Sequence, residues 1–368
     1  SVRAEAEALI QMAQSRTASA SSALDAEDNR TTLNLLSEAE DLLDRAVELV
    51  GASQPSNELR ATIRRLEQEA AKVLPLYELV SPLVTFPEGS APERVLVQDQ
   101  DIYVLDPGRS LIARYRMDQS METVPDAVGD SILRTGDDIG GVVVGELLDM
   151  AWQPVIPGRD DKSTLLVLDA NNRIWRYDPR VEGPGLLALE GSSVFQRVRQ
   201  VESYNGRLYL ADAGLGQLLR YPAGQYDVDP SPWFEQPISL EDMKSLRIDG
   251  DVWLLLNNGQ VLKFFNGQQQ AFSLDNSVGL VRDAVDFVVG DGTNPYIYVA
   301  DGGGERVWVY TKDGVYYRQF AAPEGNPLRG LSAIFIEEAT DSLYLLTTSA
   351  LFKHGLPAPD AVPAAEAD

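Results

Sequence analysis

A short phrase recurs six times along this chain, and it constrains the fold more than any other feature. It reads h-Y-V-x-D, a turn, then a strand ending in Arg or Lys beside an aromatic. The copies are IYVLDPGRSLIARY (102–115), LLVLDANNRIWRY (165–177), LYLADAGLGQLLRY (208–221), VWLLLNNGQVLKFF (252–265), IYVADGGGERVWVY (297–310) and LYLLTTSALFKH (343–354). Self-similarity at a period of about 45 residues is the mark of blades in a β-propeller. Each copy supplies two strands and a tight turn. A further apolar, β-branched run precedes each one: Val95–Gln98, Met150–Pro154, Val198–Glu202, Ser245–Ile248, Ala284–Val289 and Leu331–Glu337. Asp-Pro-Gly at 106–108, Asn-Gly at 205–206 and 258–259, and Asp-Gly-Gly-Gly at 301–304 punctuate the strands as turns. The expected class is mainly β, a six-bladed propeller over residues 76–356.

The corresponding positions Ile112, Ile174, Leu218, Val261, Val307 and Leu351 are separated by 62, 44, 43, 46 and 44 residues. The first interval is about 18 residues too long, and its excess lies between Met117 and Leu148. An insertion of this kind belongs on a loop or outer edge, as an extra strand, a hairpin or a binding loop. The last copy lacks an outer strand. The segment LVSPLVTFPEGSAP (79–92) resembles VYYRQFAAPEGNP (315–327), the outer strand and exit loop of the fifth blade. Residues 83–86 are therefore expected to complete the last blade beside 350–354, which closes the ring and removes an open sheet edge.

Residues 1–75 have another texture. Apolar positions alternate by three and four at Ala6, Ile10, Ala13, Thr17, Ala20 and Leu24, at Leu35, Ala39, Leu42, Ala46 and Leu49, and at Leu59, Ile63, Leu66, Ala70 and Val73. Each set draws a stripe along one helix face. Asp28 or Asn29 is suited to cap the second helix and Gly51 to end it, with Ala52–Ser56 as a turn. Ser56 or Asn57 is then expected to cap the third helix and Pro75 to end it. Three helices with short turns make an antiparallel bundle or stalk. The Pro/Ala-rich stretch 357–368 reads as a disordered tail.

With 56 Asp and Glu against 31 Lys and Arg, the net charge is −25. Such a surface repels phosphate backbones and anionic headgroups, which argues against nucleic acid as a partner. There is no cysteine, so thiolate chemistry and disulfides are excluded. A single histidine, His354, excludes a three-histidine zinc site. It occupies the aromatic slot of its repeat, a structural position. No run of about 20 apolar residues is present, so no membrane insertion is expected within this chain. The chain starts Ser-Val-Arg inside a helical pattern, as expected for a piece tethered through a preceding segment.

The phrases IYVLDPGRSLIARY and IYVADGGGERVWVY resemble NHL-type repeats, and the resemblance covers residues 80–355. Copies four and six depart from it, with Leu256 and Thr347 in the Asp position. An alanine-rich helical segment ahead of an acidic propeller is similar to the extracytoplasmic sensor regions of bacterial membrane-anchored signalling proteins, such as Ser/Thr kinase and PP2C-type phosphatase proteins. The resemblance implies a cell-envelope location and a face that binds ligands or partners. No kinase or phosphatase motif is present.

The repeated Asp106, Asp169, Asp212 and Asp301 end their strands, where a carboxylate accepts hydrogen bonds from turn amides. The acidic loops around Asp137 and Asp138, Asp160 and Asp161, and Asp291 suit calcium in composition but match no spaced ligand pattern. No catalytic or metal-binding set is identified. The charged residues at the starts of the innermost strands stand out: Arg94, Asp149, Arg197, Asp242, Lys244, Arg282, Asp283 and Arg329. They are expected to ring one mouth of the central channel, either receiving a protein or small anionic ligand or forming salt bridges between blades. The leading reading is a non-catalytic sensor or scaffold module without a cofactor. The alternative is a metal-dependent lactonase or hydrolase type of propeller with a channel cation, for which the innermost strands offer Asp286, Glu202 and Gln98.

Overall fold

The computed structural model describes residues 2–358 apart from 182 and 324; the tail expected from 357 lies, from 359 onward, outside the described residues. The chain divides into two compact units. One holds the chain up to Pro75 with Leu274–Leu280 and Trp308–Ala321; the other holds Leu76–Ser273, Val281–Val307 and the chain from Ala322 onward.

In the first unit, α1 (Val2–Asp25), α2 (Asn29–Val50) and α3 (Gln54–Ala70) share a core of Ala13, Ala20, Leu36, Ala39, Leu43, Leu59, Ile63 and Leu66. Small residues let the helices approach closely. In α2 the buried stripe runs through Thr32, Leu36, Ala39, Leu43 and Ala46, one position along from the expected Leu35 and Leu42, and Leu49 is exposed. The Thr32 hydroxyl explains the shift: it donates to Asp28 O and Ala20 O, so that face turns inward. Asp28 caps α2 by accepting from the Thr31 amide at 3.0 Å, and Gly51 ends it at φ 81°. The cap of α3 is Ser53, in a reciprocal capping box with Ser56, and Pro55 lies in the first turn rather than in a loop. The proline ring tolerates that place because amides of the first turn lack intrahelical acceptors. Past α3 the chain forms β1 (Val73–Pro75), which pairs in parallel with residues 319–321.

The strands that follow build a six-bladed propeller. The first blade is β3 (Arg94–Gln98), β4 (Asp101–Asp106), β5 (Leu111–Arg116) and β6 (Asp130–Arg134). The long interval forms β6 and a small hairpin, β7 (Asp138–Ile139) with β8 (Val142–Val143). The second blade is β9 (Leu147–Gln153), β10 (Thr164–Asp169), β11 (Ile174–Tyr177) and β12 (Gly185–Leu187). The third is β13 (Val198–Tyr204), β14 (Arg207–Asp212), β15 (Gln217–Tyr221) and β16 (Ser231–Pro232). The fourth is β17 (Met243–Ile248), β18 (Val252–Leu256), β19 (Val261–Phe265) and β20 (Gln268–Gln270). The fifth runs β21 (Ala284–Val289), β22 (Tyr296–Asp301), β23 (Arg306–Thr311), β24 (Tyr316–Ala321) and then β1. The sixth is β25 (Leu331–Glu337), β26 (Ser342–Thr347) and β27 (Ala350–Gly355), with β2 (Val84–Thr85) on its outer edge. Val84 lies opposite Leu351 and Thr85 opposite Ala350.

In the first three blades, apolar side chains on both faces of the sheet pack against the two neighbouring blades. In the first blade, Ile102 and Val104 face the sixth, meeting Tyr344 and Leu346, while Tyr103 and Leu105 face the second, meeting Leu165 and Trp175. The period of two along a strand thus serves two separate cores. Burying one such side chain contributes about 1.5–3 kcal/mol, so the cohesion of the ring rests on these layers.

Candidate functional site

The repeated aspartates close four of the blades on themselves. Asp212 accepts from the amides of Gln196 (2.8 Å), Arg197 (2.9 Å), Gly214 (2.9 Å) and Leu215 (3.1 Å). Asp301 accepts from Arg282 (3.1 Å), Asp283 (3.0 Å) and Gly304 (2.9 Å). Asp169 does the same with Gly145, Asn171 and Arg173, and takes the Trp175 indole N–H at 2.9 Å. Asp106 accepts from Ala91 and Arg109. Each carboxylate ties the turn after its own strand to the loop leading into the innermost strand. At 304 a Cβ would lie 2.4 Å from Asp301 Oδ2, so any larger residue there would push the clamping carboxylate aside. In the sixth blade the Thr347 hydroxyl takes over, accepting from Ala350 N–H at 3.0 Å.

These clamps set the register of the innermost strands. The residue opposite the position just before the repeated Asp is Arg94, Asp149, Gln200, Ser245, Asp286 and Ala333 in blades one to six. In blades two to six a β-bulge precedes this position, leaving Leu148, Arg199, Lys244, Val285 and Ser332 unpaired. The bulge swings that side chain out of the ladder.

Five of the six register-equivalent residues, all but Ala333, are linked by hydrogen bonds into a plug across the channel. Arg94 reaches Asp149 Oδ1 through Nε at 3.3 Å, Asp286 Oδ1 through Nη1 at 3.1 Å and Lys244 O through Nη2 at 3.0 Å. Asp286 Oδ1 also accepts from Arg247 Nη2 (3.0 Å) and Ser245 Oγ (3.0 Å), and its Oδ2 from Ile334 N–H (3.2 Å). Asp149 Oδ2 accepts from Val201 N–H at 3.0 Å. Gln200 donates to Lys244 O at 2.7 Å. In two blades, then, the carboxylate at this position takes an amide of the next innermost strand, one residue past the equivalent position. Asp286 is 1% exposed and Asp149 5%, so these bonds form out of bulk water. Burial opposes the charge on Arg94, but Asp286 and Asp149 outweigh it and hold the guanidinium above its ordinary value. Burial pushes Asp149 up, against the pull of Arg94 and the Val201 amide.

One layer further along lies Glu202. Burial, with Asp149 adding to it, pushes its carboxyl up to about 7, against the pull of Arg247, the Ser203 amide and Arg94.

The expected ring of charges divides into two levels. Arg94 and Asp149 are in the plug, whereas Arg197, Asp242, Lys244, Arg282, Asp283 and Arg329 begin the innermost strands or the loops before them. Ladder register is the reason: Arg94 and Asp149 occupy the equivalent position itself, whereas Arg197 and Asp242 stand three residues ahead of Gln200 and Ser245, and Arg282 and Arg329 four ahead of Asp286 and Ala333. On the rim, Arg197 pairs with Glu241 and Lys244 with Asp283 (3.5 Å), each a contact between neighbouring blades. Arg282 and Arg329 are exposed and make no ion pair among the described residues, and the same holds for Arg199, a bulge residue that the repeat pattern did not single out. Arg247 was also not singled out, although its place two residues past Ser245 puts it on the same strand face.

The acidic loops cap their own turns. Asp137 accepts from Arg134 N–H, Asp138 from Gly141 N–H and Asp291 from Gly292 N–H, while Asp160 pairs with Arg176. Asp286 and Glu202 share the neighbourhood of Arg247, whereas Gln98 lies at the far end of β3. Among the described residues no three His, Asp or Glu side chains gather in a metal-holding group. His354 lies 3.5 Å from Glu78, beside Lys353, in a cleft of about 840 Å³ on the outer side of the sixth blade.

No protein-family model matches this chain, and no curated protein matches it. Among solved structures it is similar to the WD40 β-propeller domain of Doa1 (9% identity, TM-score 0.44, covering 73% of this chain and 94% of that one). It is also similar to YCF48 bound to D1 peptide (11%, TM-score 0.45, 77% and 100%) and to a chain of the nidogen/laminin complex (13%, TM-score 0.41, 66% and 94%).

Proposed function

We propose that this chain is a non-catalytic binding module that receives an anionic partner, an acidic protein segment or a small anion, across the mouth where the innermost strands begin. The observation that carries this reading is the pairing pattern at the two levels. The buried charges are engaged with one another across the channel, while Arg199, Arg282 and Arg329 stand exposed on the rim without ion partners among the described residues. Three unpaired guanidiniums in a chain of net charge −25 concentrate positive potential locally and offer planar donors to carboxylate or phosphate. The NHL-like phrase and the helices that precede it support a place in the extracytoplasmic part of a bacterial signalling or cell-envelope protein.

The test is calorimetry with an acidic peptide and with inorganic phosphate, on the wild-type chain and on Arg282→Ala and Arg329→Ala. Binding that weakens at least fivefold in each variant supports the mouth as the site; unchanged affinity removes it. A parallel calcium titration separates the lactonase-like alternative, since stoichiometric tight uptake in the channel favours a cation-dependent enzyme.

A further inference from the structure

Two cations start from the same point of neighbouring blades. Arg199 is the bulge residue of β13, between Val198 and Gln200, and Lys244 is the bulge residue of β17, between Met243 and Ser245. A bulge re-aims the side chain of its extra residue. The other bulged strands carry Leu148, Val285 and Ser332 there, so positive charge at this position is confined to blades three and four. The two positions are tied together, because Gln200, the residue after Arg199, donates its side-chain amide to Lys244 O at 2.7 Å. The same carbonyl accepts from Arg94 Nη2 at 3.0 Å. The backbone at 244 is therefore held by the plug, and the lysine stem starts from a fixed point.

The two charges differ in what neutralises them. The Arg199 side chain is exposed and has no ion pair among the described residues. Lys244 Nζ meets Asp283 Oδ1 at 3.5 Å, reaching across to blade five, and the aspartate side chain is 57% exposed. The backbone of Asp283 is fixed on both sides: its N–H donates to Asp301 at 3.0 Å and its carbonyl accepts from the Gly302 amide at 2.8 Å. Its carboxylate has no partner beyond Lys244 among the described residues. An ion pair so exposed is worth little, so another carboxylate can replace it.

We propose that Arg199 and Lys244 together seat one carboxylate of the partner, and that Asp283 is a built-in counter-ion which this carboxylate displaces. The inference rests on the mouth as the binding site and names the place within it. Arg199 contributes planar paired donors and Lys244 a compact ammonium. Without a partner, Asp283 offsets the lysine charge. When the partner binds, its carboxylate takes that place and the Asp283 side chain turns to water. The exchange trades one carboxylate for another on the same ammonium, so the gain in binding comes from Arg199.

The experiment is calorimetry with an oligoglutamate peptide at low salt, on the wild type, Arg199→Ala, Lys244→Met, Asp283→Asn and the double variant of the last two. Arg199→Ala and Lys244→Met should each weaken binding about fivefold. Asp283→Asn should strengthen it about threefold, and this gain should vanish in the Lys244→Met background, since the aspartate competes for that ammonium. A gain that persists there is a long-range charge effect and overturns the displacement. Unchanged affinity in Arg199→Ala overturns the seat. If Arg282→Ala or Arg329→Ala then still weakens binding, the mouth remains the site and only the seat is wrong; if neither does, the mouth falls as well. Should Lys244→Met fail to fold, Arg199→Ala and Asp283→Asn, both at exposed side chains, decide: a loss in the first with a gain in the second upholds the seat, and any other result overturns it.

Discussion

The Arg94 guanidinium meets the Asp286 carboxylate at 3.1 Å across 192 residues of sequence, joining the innermost strand of the first blade to that of the fifth. Asp286 gathers four donors in all, from Arg94, Arg247, Ser245 and the Ile334 amide. A buried carboxylate is tolerated when its lone pairs are filled in this way.

Removing one side of this pair should cost far more than removing both. Asp286→Ala leaves two guanidiniums short of a partner and should destabilise the protein by about 3–5 kcal/mol. Pairing it with Arg94→Met should recover part of that loss. Chemical denaturation of the two single variants and the double variant gives the coupling; additive losses would contradict a shared network.

The aspartate clamps predict a graded series. Asp212→Ala strands four amides, two of the following turn and two of the preceding loop, and should cost about 2–3 kcal/mol, with faster exchange at Gln196 and Gly214. Asp106→Ala, with two amides at stake, should cost about half as much.

Ring closure depends on Val84, which is 1% exposed and packs in one cluster with Tyr115 and Leu351. Val84→Asp buries a carboxylate without a partner and should lower stability by about 3 kcal/mol or more. Amide exchange at Leu83 and Phe86, which donate to Leu351 O and Ser349 O, should rise ahead of exchange in the other blades.

Rim pairs should behave differently. Arg197 and Glu241 have half-exposed side chains, so Arg197→Ala should change stability by less than about 1 kcal/mol. A much larger loss in thermal unfolding would mean that the rim, and not the plug, holds the third and fourth blades together.

For the helical unit, the hydrogen bonds from Thr31 hold Asp28 below its ordinary value of 3.8. The cap's contribution is present above 3.8 and lost as pH falls through the depressed value. Asp28→Ala should flatten that acid arm in helical circular dichroism; an unaltered arm would argue against the cap.

Much of the architecture is legible in residue order because its causes are local. The phrase ending in Asp, the turn glycines and the apolar alternation specify strands and turns within one blade. The missing outer strand after His354, with a strand-like segment at 79–92, pointed to closure of the sixth sheet. Spacing was less informative about depth. The charges at 94 and 149 and those at 197, 242, 282 and 329 look alike along the chain, but the first two are in the plug and the others on the rim. Arg199 and Arg247 carried no signal as sequence, because each departs from the repeat only by its charge. Similarly, the α2 stripe shifted by one residue because a threonine hydroxyl found carbonyl acceptors that a count of apolar positions does not see.

By itself, the sequence determined the mainly β class, the number of blades, the presence of three helices and the carboxylates that clamp the turns of four blades. These follow from period and from hydrogen bonds made over a few residues. Only the tertiary structure decided which charges are buried together and which remain on the rim. The physical reason is that depth is set by the register of each innermost strand in its ladder, and that Arg94 meets Asp149, Lys244 and Asp286 only once the ring has brought four blades to a common axis.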